Sequence, residues 1–102
     1  MKYALHFGPE SLNIHLEGAF TFFDSRAFRR LLGTLGLNSA RDEIRLNVEK
    51  LESIDSTALG LLLNAHDMAK KNRRSLVFEG PQGQVLQALT GAALCNALNI
   101  AG

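Results

Sequence analysis

Hydrophobic residues alternate with other residues twice near the start of the chain. Tyr3, Leu5 and Phe7 alternate with Ala4 and His6, and Leu12, Ile14 and Leu16 alternate with Asn13, His15 and Glu17. A period of two predicts half-buried strands. Gly8-Pro9-Glu10-Ser11 between them predicts a turn, so the two strands should form an antiparallel hairpin. The period then changes. From Phe22 to Leu35, Ala27, Phe28, Leu31, Leu32 and Leu35 fall at helical spacing, with Arg26, Arg29 and Arg30 on the other side. Thr21 or Asp24 can cap the start of this helix, and Gly33 and Gly36 weaken its end.

Ile44, Leu46 and Val48 alternate with Arg45, Asn47 and Glu49, which predicts a third strand. A second helix follows Asp55 and runs to about Lys71. Ser75 to Glu79 reads as a fourth strand, stopped by Gly80-Pro81. Gln82 to Leu89 reads as a short last helix with Val85, Leu86 and Leu89 inward, and Leu98-Asn99-Ile100 as a brief final strand. The strand-helix-strand unit from Ile44 to Glu79 predicts a right-handed parallel crossover. The fold class is therefore α/β, a mixed sheet of four or five strands with helices packed mainly on one face.

Composition narrows the function classes. The 102 residues make one domain, 1–102, and 46% hydrophobic residues suffice for a core without a metal or disulfide staple. A net charge of +1 offers no basic excess for nucleic acid. Cys95 is the single cysteine, so no internal disulfide forms; it fits a reduced setting and reads as a small buried hydrophobe. No apolar run reaches the ~18 residues of a membrane span, and the N-terminus lacks the apolar region of a signal peptide. A cytoplasmic protein without membrane insertion is expected.

Enzyme signatures are missing. His6, His15 and His66 show no metal-ligand spacing, and His6 and His15 occupy strand positions expected to face solvent. No G-x-S-x-G surrounds Ser56, and no phosphate-binding glycine loop is present. Gly80-Pro81-Gln82-Gly83 reads as a strand-to-helix turn. No catalytic residue, cofactor or metal is expected, and a nucleotide-binding or hydrolytic module is disfavoured.

Ile54-Asp55-Ser56-Thr57-Ala58-Leu59-Gly60 is the segment with chemical content. It places an acidic-hydroxyl cluster where a strand-to-helix loop enters an apolar helix. With Ser56 as the N-cap, its hydroxyl would bond a first-turn amide, and a phosphate on it would meet free N–H groups and a favourable dipole. Ser56, Gly60, Asn64, Asp67 and Lys71 lie on one helical stripe. Ala58, Leu61, Leu62, Ala65 and Ala69 lie on another that can pack on a sheet. Gly60 on the polar stripe costs about 1 kcal/mol relative to alanine, and its missing side chain would let another protein approach closely. The plainer alternative is that Ser56 only caps and Gly60 only eases packing.

At these residues the chain resembles the STAS domain family of anti-sigma factor antagonists. The family's marker is Asp-Ser-Ser/Thr-x-Leu-Gly at the start of its second helix, matched in full by Asp55 to Gly60. Glu17-Gly18-Ala19-Phe20 is similar to the family's Glu-Gly turn after the second strand. Phe20 to Phe28 resembles single-domain bacterial members in partner-switching pathways. The resemblance covers nearly the whole chain and implies a regulatory phosphoprotein of signal transduction. Ser56 would be phosphorylated by a serine kinase of the anti-sigma type; the unphosphorylated form would bind that anti-sigma factor or kinase, and a phosphatase would reset the switch. Asp55 would shape the site, with Thr57 the less favoured acceptor. The partner-binding set is then Asp55, Ser56, Thr57, Gly60, Asn64 and Asp67. Many relatives carry a further helix after the third, so contacts made by such a helix are not expected here. The alternative within the family is a STAS subunit docking on a lipid or anion transport system without phosphorylation.

Overall fold

The computed structural model describes the backbone of residues 1–8, 11–38, 43–96 and 98–101, and their side chains except those of 34–38 and 94–96. The elements are β1 (Lys2–Phe7), β2 (Ser11–Phe20), a 3₁₀ turn (Phe22–Asp24), α1 (Ser25–Asn38), β3 (Glu43–Ile54), α2 (Ser56–Lys71), β4 (Ser75–Glu79), α3 (Gly83–Asn96) and β5 (Asn99–Ala101). The five strands form one sheet in the order β1-β2-β3-β4-β5. β1 and β2 make the antiparallel hairpin, and β2 to β5 are parallel to one another. Pro9 and Glu10 of the predicted turn lie outside the described residues.

Strands adjacent in the sequence are adjacent in the sheet, and a right-handed crossover always returns over the same face. Three successive crossovers therefore bring α1, α2 and α3 onto one side. The alternating pattern supplies what they cover: Leu12, Ile14, Leu16, Ile44, Leu46, Val48, Leu76 and Phe78 are buried. The opposite face carries Asn13, His15, Glu17, Arg45 and Asn47, and there Arg45 pairs with Glu43 at 3.2 Å and Glu79 at 3.3 Å. Phe20 and Phe28 meet in the core with ring centroids 4.9 Å apart. Ala58, Leu61, Leu62, Ala65 and Ala69 of α2 are all buried, as their helical stripe predicts.

β3 is longer than its alternation suggests. Its register against β2 slips twice, between His15 and Glu17 and between Gly18 and Ala19, with the extra residue on β3 each time. These bulges reset the phase of the strand, so that Leu51 and Ile54 point inward although they break the period of two. Gly18 sits at the second slip with φ +87°, a left-handed conformation that glycine adopts without steric cost. Glu17-Gly18 thus lies within β2 opposite the bulged stretch of β3, and β2 runs on to Phe20 rather than ending in a turn there.

Other expectations need correction. α1 and α3 each run further than their apolar spacing indicated. Ala27 and Leu86 are exposed, because each lies at the margin of its helix's covered stripe. Tyr3 and Phe7 are 50% and 56% exposed, because β1 lies at the sheet edge beyond the main helical cover. The side chains of Leu35 and Cys95 lie outside the described set. Thr21 and Asp24, read as alternative caps, act together: the Thr21 hydroxyl accepts from Phe23 N–H and the Asp24 carboxylate accepts from Thr21 N–H.

Phe28→Ala is expected to lower stability by about 3–5 kcal/mol, as for a fully buried aromatic truncated in a packed core. Gly18→Ala is expected to cost about 1–2 kcal/mol through backbone conformation, since nothing lies within 4 Å of an added Cβ. Urea unfolding of both variants checks these values.

Candidate functional site

The parallel strands β2, β3 and β4 end at the same edge of the sheet, and each hands the chain to a helical start. The 3₁₀ turn, the N-terminus of α2 and the N-terminus of α3 therefore converge there. The backbone is pinned at this junction. Asp55 N–H donates to the Phe20 carbonyl at 3.3 Å. The Gln84 side chain acts as a surrogate strand for the end of β3: its Oε1 accepts from Ile54 N–H at 2.8 Å and its Nε2 donates to the Ile54 carbonyl at 2.9 Å.

Asp55, rather than Ser56, is the N-cap of α2. Its Oδ1 accepts from Ala58 N–H at 2.7 Å and its Oδ2 from Phe22 N–H at 2.9 Å. One carboxylate thus terminates α2 and ties it to the 3₁₀ turn. An aspartate outcompetes the following serine because its longer side chain has two acceptors and can serve both donors. The Ala58 and Phe22 amides favour the charged form and hold the carboxyl below its usual value of 3.8.

Ser56 is the first residue of α2 and is exposed. Its hydroxyl makes no hydrogen bond among the described residues. Thr57 is half-buried, which disfavours it as an acceptor. The Ala58 amide of the first turn is already held by Asp55 and is therefore not open to a group on Ser56. Gly60, Asn64, Asp67 and Lys71 are all exposed along the stripe below Ser56, and a Cβ at Gly60 would meet nothing within 4 Å.

Two features escaped the sequence reading. Phe22 and Phe23 are 61% and 90% exposed in the turn whose amide Asp55 holds, and their rings pack edge-on at 5.8 Å. Two adjacent phenylalanines ahead of a helix read as core, and only the short 3₁₀ turn directs them outward. Gln84 gave no signal, because its partner is the backbone of a distant strand.

A cavity of about 540 Å³ lies on the open sheet face among residues of β1, β2 and β3, away from Ser56. It contains His6 and His15, exposed as expected and packed edge to face at 5.0 Å. Among the described residues no group of three His, Cys, Asp or Glu is placed to hold a metal, and no helix is long and apolar enough to cross a membrane.

The depressed Asp55 carboxyl sets a pH dependence. Its stabilising contribution is fully present above 3.8 and is lost as pH falls through the lower folded-state value. Asp55→Asn is expected to be less stable than the wild type at pH 7, and the gap should narrow below pH 3.8. Urea midpoints measured at both pH values check the sign.

A family model described as Mlab, STAS domain, matches residues 3–98. No curated protein matches the chain in sequence. Among solved structures, the chain is similar to the Bacillus cell-fate determinant SpoIIAA in its phosphorylated form, with 20% identity over 99% of this chain and 92% of that one and a TM-score of 0.77. It is similar to an anti-sigma factor antagonist of Mycobacterium paratuberculosis, with 10% identity over 98% and 84% and a TM-score of 0.85. It is also similar to a sulfate transporter family protein of Wolinella succinogenes, with 20% identity over 87% and 74% and a TM-score of 0.70. The parallel crossovers, the Asp55-to-Gly60 run at the head of α2 and a family match spanning nearly every residue lead to one assignment: the chain belongs to the STAS domain family.

Proposed function

We propose that the chain is a phosphorylation-controlled partner-switching regulator of the anti-sigma factor antagonist type. In its unphosphorylated form it binds an anti-sigma factor or serine kinase-type protein through Asp55, Ser56, Thr57, Gly60, Asn64 and Asp67. Phosphorylation of Ser56 releases that partner, and a phosphatase restores binding. The observation that carries the reading is the Ser56 hydroxyl, exposed and without a hydrogen bond among the described residues, at the head of an exposed helical stripe. A phosphorylated form of SpoIIAA shares this fold, which supports the reading.

The effect of the phosphate follows from its neighbours. At the start of α2 the dipole favours negative charge by about 0.3–1 kcal/mol. The adjacent Asp55 carboxylate opposes it, screened by solvent. These contributions nearly cancel, so the folded domain is little affected. A partner covering Ser56 would remove solvent from a group carrying nearly two negative charges, and binding would be lost unless a cation met it.

The second reading is docking on a transport component, favoured by the shared fold of the Wolinella succinogenes protein. The two readings separate at Ser56, because a docking surface that ignores phosphorylation tolerates either charge state.

Ser56→Ala is expected to fold within about 0.5 kcal/mol of the wild type, since Asp55 does the capping, and to retain the partner while losing phosphorylation. Ser56→Asp and authentic phosphoserine should lose most affinity for the kinase-type partner while melting within a few degrees of the unmodified protein. Calorimetric titrations paired with thermal melts check both; equal affinity of Ser56→Ala and Ser56→Asp would favour docking. Gly60→Ala should raise helix stability by about 1 kcal/mol, whereas Gly60→Arg should weaken binding without unfolding the domain. Unfolding of Gly60→Arg would contradict the open stripe.

A further inference from the structure

We propose that this chain pairs with a second copy of itself along β1, so that two five-stranded sheets become one continuous sheet. The two sheet edges differ. β5 is a three-residue strand, whereas β1 spans six residues. Long edges are usually blunted by charge, proline or a bulge. β1 has only Lys2 at its start, no proline, and unbroken register with β2.

The open flank of β1 can be read from the hairpin. Gly8 N–H donates to the Ser11 carbonyl at 2.8 Å. Hydrogen-bonded pairs alternate along an antiparallel ladder, so Lys2, Ala4 and His6 turn their main-chain groups toward β2. The N–H and C=O of Tyr3 and Leu5 then face outward. The side chains of Tyr3, Leu5 and Phe7 share the face of Leu16, Ile14 and Leu12, their opposite residues in β2, all of which are buried. The strip is apolar and on the core side of the sheet, yet Tyr3 and Phe7 remain half exposed.

A second copy fits this strip better than an unrelated strand because the sequence is self-complementary. A two-fold axis at Leu5 places Leu5 opposite Leu5 of the other copy. It also sets Tyr3 opposite Phe7 on either side, giving two cross-strand aromatic pairs on one face. On the other face Ala4 meets His6. Lys2 falls opposite Gly8, so no like charges face each other. The contact is one short ribbon with four aromatic rings, smaller than the standard interface of about 1,600 Å². The dimer is therefore weak and reversible. α2 follows β3 rather than the paired edge, so each copy keeps its Ser56 free and the dimer presents that surface twice.

Light scattering and sedimentation of the purified chain from about 1 µM to about 500 µM test the proposal. The mass is expected to rise from monomer to dimer and stop there. The doubly substituted chain Tyr3→Lys with Phe7→Lys should keep the wild-type circular dichroism and dimerise at least about tenfold more weakly, as lysines on an edge strand do. Phe23→Lys should dimerise as the wild type does. A mixed sample of labelled and unlabelled wild-type chains should show contacts between the Tyr3 ring of one copy and the Phe7 ring of the other, which reads the register even where a variant misfolds. A monomer throughout the range would overturn the proposal. So would open-ended growth, a dimer unaffected by the lysine pair, a dimer lost in Phe23→Lys, or an absence of Tyr3–Phe7 contacts.

Discussion

Every helix in this domain must return to the same side of the sheet, and the remaining architecture depends on that constraint. Strands β2 to β5 run parallel in chain order, and each right-handed crossover repeats the step before it. One sheet face becomes the core and the other stays polar, as the alternation of Leu12, Ile14 and Leu16 with Asn13, His15 and Glu17 requires. The same constraint gathers the ends of β2, β3 and β4 at one edge. The site around Ser56 is a consequence of topology before it is a consequence of any particular side chain.

Within that edge the Asp55 carboxylate is the organising contact. It caps α2 through Ala58 and holds the 3₁₀ turn through Phe22, while Gln84 fastens the end of β3 to the start of α3. This division of labour leaves the Ser56 hydroxyl without a structural task. A residue that caps cannot be modified without cost to the helix, whereas a residue beside the cap can. The exposed Phe22 and Phe23 lie within the same bonded unit, so an apolar surface stands next to the hydroxyl whose charge state the proposed switch would change.

The exposed apolar residues fall into two groups with different causes. Phe22 and Phe23 are turned outward by a tight turn beside the site. Tyr3 and Phe7 are left uncovered because the helices pack over β2, β3 and β4 and the sheet extends one strand further. The first group adjoins the proposed switch. The second lies on the edge strand where the main-chain groups of Tyr3 and Leu5 face outward.

Much of this was legible from residue order alone. Period-two runs marked β1, β2 and the first half of β3, and the stripe Ala58, Leu61, Leu62, Ala65 and Ala69 marked the buried side of α2. The Asp55-to-Gly60 run marked the family and placed Ser56 at the helix start. These features are local: each follows from one element's period or from the chemistry of adjacent residues. What the tertiary structure decided depends on contacts between distant segments. The phase change that buries Leu51 and Ile54 comes from bulges against β2, which no period within β3 encodes. The cap passed from Ser56 to Asp55 because Phe22, 33 residues away, offers a second donor to the same carboxylate. Gln84 acquired its role from the end of β3, and Tyr3 and Phe7 lost their cover because three helices reach only so far across five strands. A sequence specifies which side chains seek burial or partners; which partners they find is set when the sheet brings remote backbone groups within hydrogen-bonding distance.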